Sequence, residues 1–257
     1  MIYKVIDFVF PEECVWCYQN HEYICVKCRQ KLIAHQEFCN ICHKESIDFL
    51  VHSWCRDGVY YDWIIILWEF TSLVKKLIYK LKFWHRYHTV DFLAEKLWIG
   101  LQANGALAEM AQNAKVAENA KVAEWGKSEN IADKKKSNIY ISYVPSHWWR
   151  RYWVKWYNQS ELLACRLSEI SWLPFVDIAN KIKYTKSQVD LSRQQRLSNL
   201  VGAYKLWDNL TLSGSETIVI VDDISTTWST INQFAKTIKY IYPNIKTWWL
   251  VIARSNK

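Results

Sequence analysis

Glycine is scarce in this chain, with 6 among 257 residues where an average composition would supply roughly 18. Proline (4) and methionine (2) are scarce as well. So little glycine and proline excludes a collagen-like or Gly/Pro-rich low-complexity chain. No window approaches 18 consecutive apolar residues, which excludes a spanning helix and predicts no membrane insertion. The stretch from Met1 to Phe10 carries one Lys and one Asp and lacks a long apolar centre, so it predicts no secretory leader and a cytoplasmic location. Acidic residues are outnumbered, 25 against 33 basic, leaving a net charge of +8 that favours phosphate-rich partners without identifying one. At 51% hydrophobic and 23% charged, the chain has a globular composition and is long enough to bury a full core.

Tryptophan is present in the opposite excess, at 16 residues. The tryptophans and glycines together amount to an ordinary glycine content. The placement agrees: Trp16 lies inside a Cys-x-x-Cys knuckle, Trp148 and Trp149 in a polar loop, Trp153 and Trp156 among Arg and Lys, and Trp84 between Phe83 and His85. These are turn and surface contexts, where glycine is the usual residue. The expectation is that many of these tryptophans are UGA codons translated as Trp although the organism reads them as glycine. The alternative is an aromatic-rich protein that stacks bases on exposed indoles.

Seven of the eight cysteines lie between positions 14 and 55. They fall as Cys14-x-x-Cys17, Cys25-x-x-Cys28, Cys39-x-x-Cys42 and His52-x-x-Cys55. Two residues on one tight turn reach the same Zn²⁺, and two turns close a tetrahedron with no open position. Four knuckles therefore predict two structural zinc ions. Consecutive pairing gives Cys14, Cys17, Cys25 and Cys28 for one site and Cys39, Cys42, His52 and Cys55 for the other. Interleaved pairing stays open, His43 competes with His52, and disulfides are the alternative chemistry in an oxidising compartment. Cys165, alone in a helical pattern, reads as a small core residue.

Beyond the cysteines, Tyr60 to Leu67 reads as a strand and Phe70 to Phe83 as an amphipathic helix, with Leu73, Leu77, Ile78 and Leu81 opposite Lys75, Lys76, Lys80 and Lys82. That basic face reads as solvated rather than as a nucleic-acid or membrane surface. Thr89 to Ala103 is a second helix. Residues 104–138 are polar and Ala-rich, repeat one hexapeptide from Asn113 to Glu118 and from Asn119 to Glu124, and read as an insertion. Strands are then expected at Ile139 to Val144, Val176 to Ile178, Thr217 to Val221 and Thr247 to Ala253. Helices are expected at Gln159 to Ile170 and Thr227 to Tyr240, with a basic loop from Pro145 to Tyr157 and a basic helix-like stretch from Leu191 to Leu200. This alternation predicts an α/β fold with a mostly parallel sheet and ligands at the carboxyl ends of its strands.

At one such end stand Asp222 and Asp223, after the apolar run Ile218 to Val221 and before Thr226, Thr227, Trp228, Ser229 and Thr230. Carboxylates at a strand end suit ribose hydroxyls, while backbone N–H groups and hydroxyls at a helix N-terminus suit a phosphate. The run looks like a phosphoribosyl-pyrophosphate (PRPP) loop in which Trp228 occupies a glycine position. The alternative role for the two aspartates is to cap the following turn.

Over nearly its whole length the chain resembles the ComF (ComFC) family of competence-related proteins. The resemblance rests on Phe10-Pro11-x-x-Cys14-x-x-Cys17, the segment Leu77 to Phe83, Val144-Pro145-Ser146-His147 with Arg150-Arg151, and the segment Tyr157 to Ala164. It continues through Thr185, Gln188, Leu191, Arg196, Asn199 and Gly202-Ala203-Tyr204, and ends with the PRPP loop. The chain departs from the family pattern at Trp84, Trp156 and Trp228, where the family has glycine, and in its middle insertion. The resemblance implies a double zinc ribbon over residues 1–57 and a type I phosphoribosyltransferase-like domain over 58–257, carrying the insertion at about 104–138. It implies PRPP and Mg²⁺ as ligands, with Asp222 and Asp223 on the ribose hydroxyls. Thr226, Thr227, Ser229 and Thr230 would take the 5′-phosphate, and Arg150, Arg151 and Lys155 the pyrophosphate. It further implies a part in DNA uptake, with incoming single-stranded DNA and the competence machinery as partners. The other reading is an active phosphoribosyltransferase of nucleotide metabolism, resembling an amidophosphoribosyltransferase, whose second substrate and catalytic base the sequence does not disclose.

Overall fold

The fold is given by a computed structural model that describes residues 13–19, 22–83, 87–103, 138–146, 157–183, 200–225 and 228–255. The elements in chain order are a one-turn helix α1 (Val26–Arg29), strand β1 (Trp63–Glu69), helices α2 (Ser72–Phe83) and α3 (Tyr87–Ala103), strand β2 (Ile139–Tyr143) and helix α4 (Gln159–Ser171). Short strands β3 (Ala179–Lys181) and β4 (Tyr204–Leu206) follow, then strand β5 (Thr217–Ser225), helix α5 (Trp228–Ile241) and strand β6 (Lys246–Arg254).

The central sheet is parallel throughout, in the order β1-β6-β5-β2. Its inner strands are the near-continuous apolar runs, Ile218 to Val221 in β5 and Trp248 to Ala253 in β6, all fully buried. A strand covered on both faces has no polar side to alternate with, so it reads as a run. On one face pack α2, α3 and α4, whose Leu77, Leu81, Leu93, Leu97, Leu163 and Leu167 meet Val219, Val221, Leu250 and Ile252. On the other, α5 presents Ile231, Phe234, Ala235 and Ile238 to Ile218, Ile220, Trp249 and Val251. Their spacing of three, one and three residues is one helical stripe. Gly100 in α3 lies so close to β1 that an added Cβ would stand 2.4 Å from Leu67 Cδ2.

The cysteine-rich segment packs into both faces of this sheet. Cys14, Val15, Tyr23, Ile24 and Cys28 join the first core, and Cys39, Phe49 and Val51 the second. Residues 33–35 run antiparallel to the end of β1, where His35 N–H donates to Leu67 O (3.1 Å) and Glu69 N–H to Ile33 O (2.9 Å). The outer edge of β1, which would otherwise present unpaired backbone groups, is covered there.

Three sequence expectations need correction. β5 does not stop at Val221 but runs to Ser225, because β6 continues beside it and pairs Asp222 with Val251 and Ser225 with Arg254. Val176 to Ile178 is not a strand: Phe175 forms one parallel bridge to Ile141, and Ala179–Lys181 instead pairs antiparallel with Tyr204–Leu206 outside the main sheet. Cys165 is half-buried rather than a core residue. Most of the expected insertion (104–137), most of the basic loop (147–156) and all of the stretch at 191–199 lie outside the described residues, and with them Arg150, Arg151, Lys155 and Arg196.

Candidate zinc centres and sugar-phosphate site

The four knuckles close into two quartets, Cys14, Cys17, Cys25, Cys28 and Cys39, Cys42, His52, Cys55, with the donor atoms of each within 4.8 Å of one another. Cys17 Sγ lies 3.6 Å from Cys25 Sγ and Cys42 Sγ lies 3.3 Å from His52 Nδ1. Tetrahedral Zn–S bonds place neighbouring sulfurs about 3.8 Å apart, so a zinc ion fits each quartet. All eight cysteines are free thiols, so no disulfide competes. The grouping is the consecutive one. Between the two histidines geometry selects His52, whose Nε2–H donates to Glu45 O at 3.0 Å and leaves Nδ1 facing the cluster. His43 sits in a left-handed turn (φ +58) with Nδ1 3.4 Å from Arg254 Nη1.

Within each quartet, burial and backbone hydrogen bonding pull one thiol down and push another up. Burial opposes ionisation of Cys14, but the backbone N–H groups of Cys17, Cys25 and Trp16 outweigh it and pull the thiol down to about 6. Burial, reinforced by the neighbouring thiols, pushes Cys28 up to about 12. The second quartet repeats the contrast, with Cys39 lowered to about 7 and Cys55 raised to about 11. Packed sulfurs cannot all ionise without a cation among them.

The other polar concentration is at the carboxyl end of β5. Asp222 accepts a hydrogen bond from Ser160 Oγ (3.0 Å) at the start of α4. Asn158, the N-cap of that helix, accepts from Ser160 N–H and donates to Val144 O, fixing α4 against the end of β2. Asp223 pairs with Lys82 Nζ of α2 at 2.6 Å, and both side chains are mostly buried. Desolvation, and then the charge of Asp223, push Asp222 up to about 7. The two aspartates therefore hang from one strand between two helices. Ser229 and Thr230 stand in the first turn of α5, and Thr226 and Thr227 lie outside the described residues. Trp228 opens α5 half-buried, with its ring 6.4 Å from Tyr61 and the Arg254 guanidinium 4.8 Å over it.

Lys82, Ser160 and Asn158 were not singled out as site residues from the sequence. Ser160 and Asn158 lie within the Tyr157 to Ala164 motif, but Lys82 reads there as one more lysine on a solvated helix face. Replacing Lys82 by Met should lower the unfolding free energy by about 1–3 kcal/mol, because Asp223 is left without its countercharge. Chemical denaturation of Lys82→Met, Asp223→Asn and the double variant checks this: the pair loses less than the sum of the singles. Strict additivity would show that the two side chains do not interact.

The double zinc ribbon domain family matches residues 5–57. The chain is 25% identical to Competence protein F of Haemophilus influenzae, over 89% of this chain and 96% of that one. Over most of its length the chain is thus similar to a ComF-type competence protein. A 92-residue stretch is 37% identical to the DNA utilization protein YhgH of Escherichia coli, covering 35% of this chain and 38% of that one. The protein of the same name from Salmonella typhi matches at 36% over the same length. The chain is a mixed α/β protein with a mostly parallel central sheet and an N-terminal zinc-binding cysteine module. Among the described residues no helix is long and apolar enough to cross a membrane.

Proposed function

We propose that this chain is a ComF-family protein that, with glycine at position 228, binds PRPP at the carboxyl end of β5 and acts in DNA uptake by handling incoming single-stranded DNA. The observation that carries the first half is the Asp222–Asp223 pair, two consecutive carboxylates beside the N-terminus of α5 at the sheet end where parallel α/β folds take ligands. Support for the second half comes from the relatives, one called a competence protein and others DNA utilization proteins, and from the net charge of +8. On this reading residues 58–257 form a phosphoribosyltransferase-like domain and 104–138 an insertion within it.

The residues fit a hard divalent cation. Two adjacent carboxylates offer oxygen donors, and Lys82 supplies one positive charge, paired with Asp223, against the two. Mg²⁺, when bound with PRPP, would supply neutralisation of the pyrophosphate. Asp222 and Asp223 hold the ribose hydroxyls, Ser229 and Thr230 with Thr226 and Thr227 cradle the 5′-phosphate, and Arg150, Arg151 and Lys155 meet the pyrophosphate.

Asp222→Asn with Asp223→Asn should leave the fold intact and weaken PRPP at least tenfold. In the parent, affinity should rise by up to tenfold per pH unit on approaching pH 7 from below, because an acid raised to about 7 must release its proton before accepting two ribose hydroxyls, and the rise should vanish in Asp222→Asn. Binding measured in the glycine-228 protein across this range checks both. Unchanged affinity in the double variant would leave the aspartates as turn caps.

A second reading is turnover as a phosphoribosyltransferase, in which Asp222, hydrogen-bonded by Ser160 Oγ at the sheet end, is the candidate proton-transfer group. Pyrophosphate release from PRPP with any nucleobase or amine separates it from binding alone.

We also propose that many of the tryptophans are glycines in the native protein. Trp172, the C-terminal cap of α4, is 73% exposed in a left-handed conformation (φ +61), the position glycine takes at helix ends. The indole N–H groups of Trp63, Trp248 and Trp249 are buried without a partner among the described residues, which native tryptophans seldom are.

A further inference from the structure

Between the second zinc quartet and the carboxyl ends of β1 and β6 lies a cavity of about 250 Å³, lined by His35, Gln36, Phe38, His43, Glu69 and Arg254. The register puts it at the same end of the sheet as the two aspartates: Arg254 pairs with Glu69 on one side and with Ser225, two residues beyond Asp223, on the other. None of the six lining residues is a tryptophan, although Arg254 also lies over the Trp228 ring.

Its walls combine three kinds of group. Arg254 is half-buried, with its guanidinium 4.9 Å over the Phe38 ring and 4.8 Å over the Trp228 ring; its N–H groups lie at the edge, where Nη1 is 3.4 Å from His43 Nδ1 and the others are donors. Glu69 is an acceptor, 3.3 Å from His35 Nδ1. His35 is nine-tenths buried, and its Nε2 has no partner among the described residues. Its ring packs on Phe38 and Phe49, which hold it in place. A donor fork and a carboxylate beside an aromatic wall match a flat heterocycle with both donors and acceptors on its edge. A lone anion would be repelled by Glu69, and an apolar ligand would strand the polar groups. The volume lies below the roughly 300–1,000 Å³ of drug-sized sites, so the cavity holds one ring system rather than a polymer segment.

We propose that this cavity is a nucleobase site, its floor supplied by the sheet and its wall by the zinc module, with Arg254 donating to acceptors on the base edge and Glu69 accepting from an exocyclic amine or ring N–H. The inference rests on the proposed handling of PRPP and single-stranded DNA at this end of the sheet. The base arrives either free, as a companion to PRPP, or as one residue of a DNA strand.

The test titrates adenine, hypoxanthine, cytosine and uracil, and separately a short single-stranded oligodeoxynucleotide, against the full chain at fixed moderate salt, with Mg²⁺–PRPP in a parallel arm on the Trp228→Gly protein. The variants are Arg254→Met, which keeps the aliphatic stem, and Phe38→Leu, each accepted only with the parent zinc content and unfolding temperature. The expected result is a loss of at least tenfold in base affinity in both variants, with PRPP affinity changed less than twofold. If the loss appears with free bases, the ligand is a free base; if with the oligonucleotide alone, it is a base within a strand. Parent-like affinity for bases and oligonucleotide in both variants, or no binding of either by protein that does bind PRPP, would overturn the inference. If PRPP fails to bind while the variants still lose base affinity, the PRPP reading fails and this one stands.

Discussion

Replacing Trp228 by glycine, together with Trp153 and Trp156, is expected to turn a chain that binds no measurable PRPP into one that binds it. The loop between β5 and α5 works only if its backbone N–H groups come within about 3 Å of phosphate oxygens. At the head of α5 the indole instead fills space against Tyr61 and under Arg254. Calorimetry of the two forms side by side reads the difference. Equal affinity would remove the functional argument for glycine at this position and favour indoles that stack bases. The gene gives an independent check, since UGG codons at positions 16, 156 and 228 are incompatible with recoding.

Removing the metal should have the largest structural effect. Protein purified without chelator is expected to carry two zinc ions per chain, and chelation is expected to abolish the fold of the N-terminal module. Structural zinc contributes about 10–16 kcal/mol to folding in small modules, more than the total stability of most domains. The damage should spread further, because Cys14 and Cys28 sit in the core beneath α2 and α3, Cys39 sits in the core on the other face, and residues 33–35 seal the edge of β1. Elemental analysis gives the stoichiometry, and hydrogen exchange before and after chelation maps the loss. One zinc or none would reject the two-quartet arrangement.

What the sequence disclosed follows from the range of the forces involved. The zinc quartets were legible because two ligands on one turn are a local constraint, as were β5 and β6, whose unbroken apolar runs suit only strands covered on both faces. His52 was legible from its x-x spacing to Cys55, while what His43 does instead was not, since the left-handed turn there sends its ring toward Arg254. The partners of the two aspartates were hidden for a related reason. Lys82 and Ser160 lie far away in the chain, and neither periodicity nor composition says which solvated lysine will face a carboxylate. The three-residue ladder between β3 and β4 was missed because strands so short carry almost no pattern. Arg254 ends an apolar strand and reads as its polar terminus; its setting over Phe38 arises only when the zinc module folds across the sheet.

Calorimetric titration of Mg²⁺–PRPP into the glycine-restored protein tests the central claim most directly. The account predicts one site per chain, weakened at least tenfold when Asp222 and Asp223 are converted to Asn. No heat of binding from folded protein carrying two zinc ions per chain would contradict it.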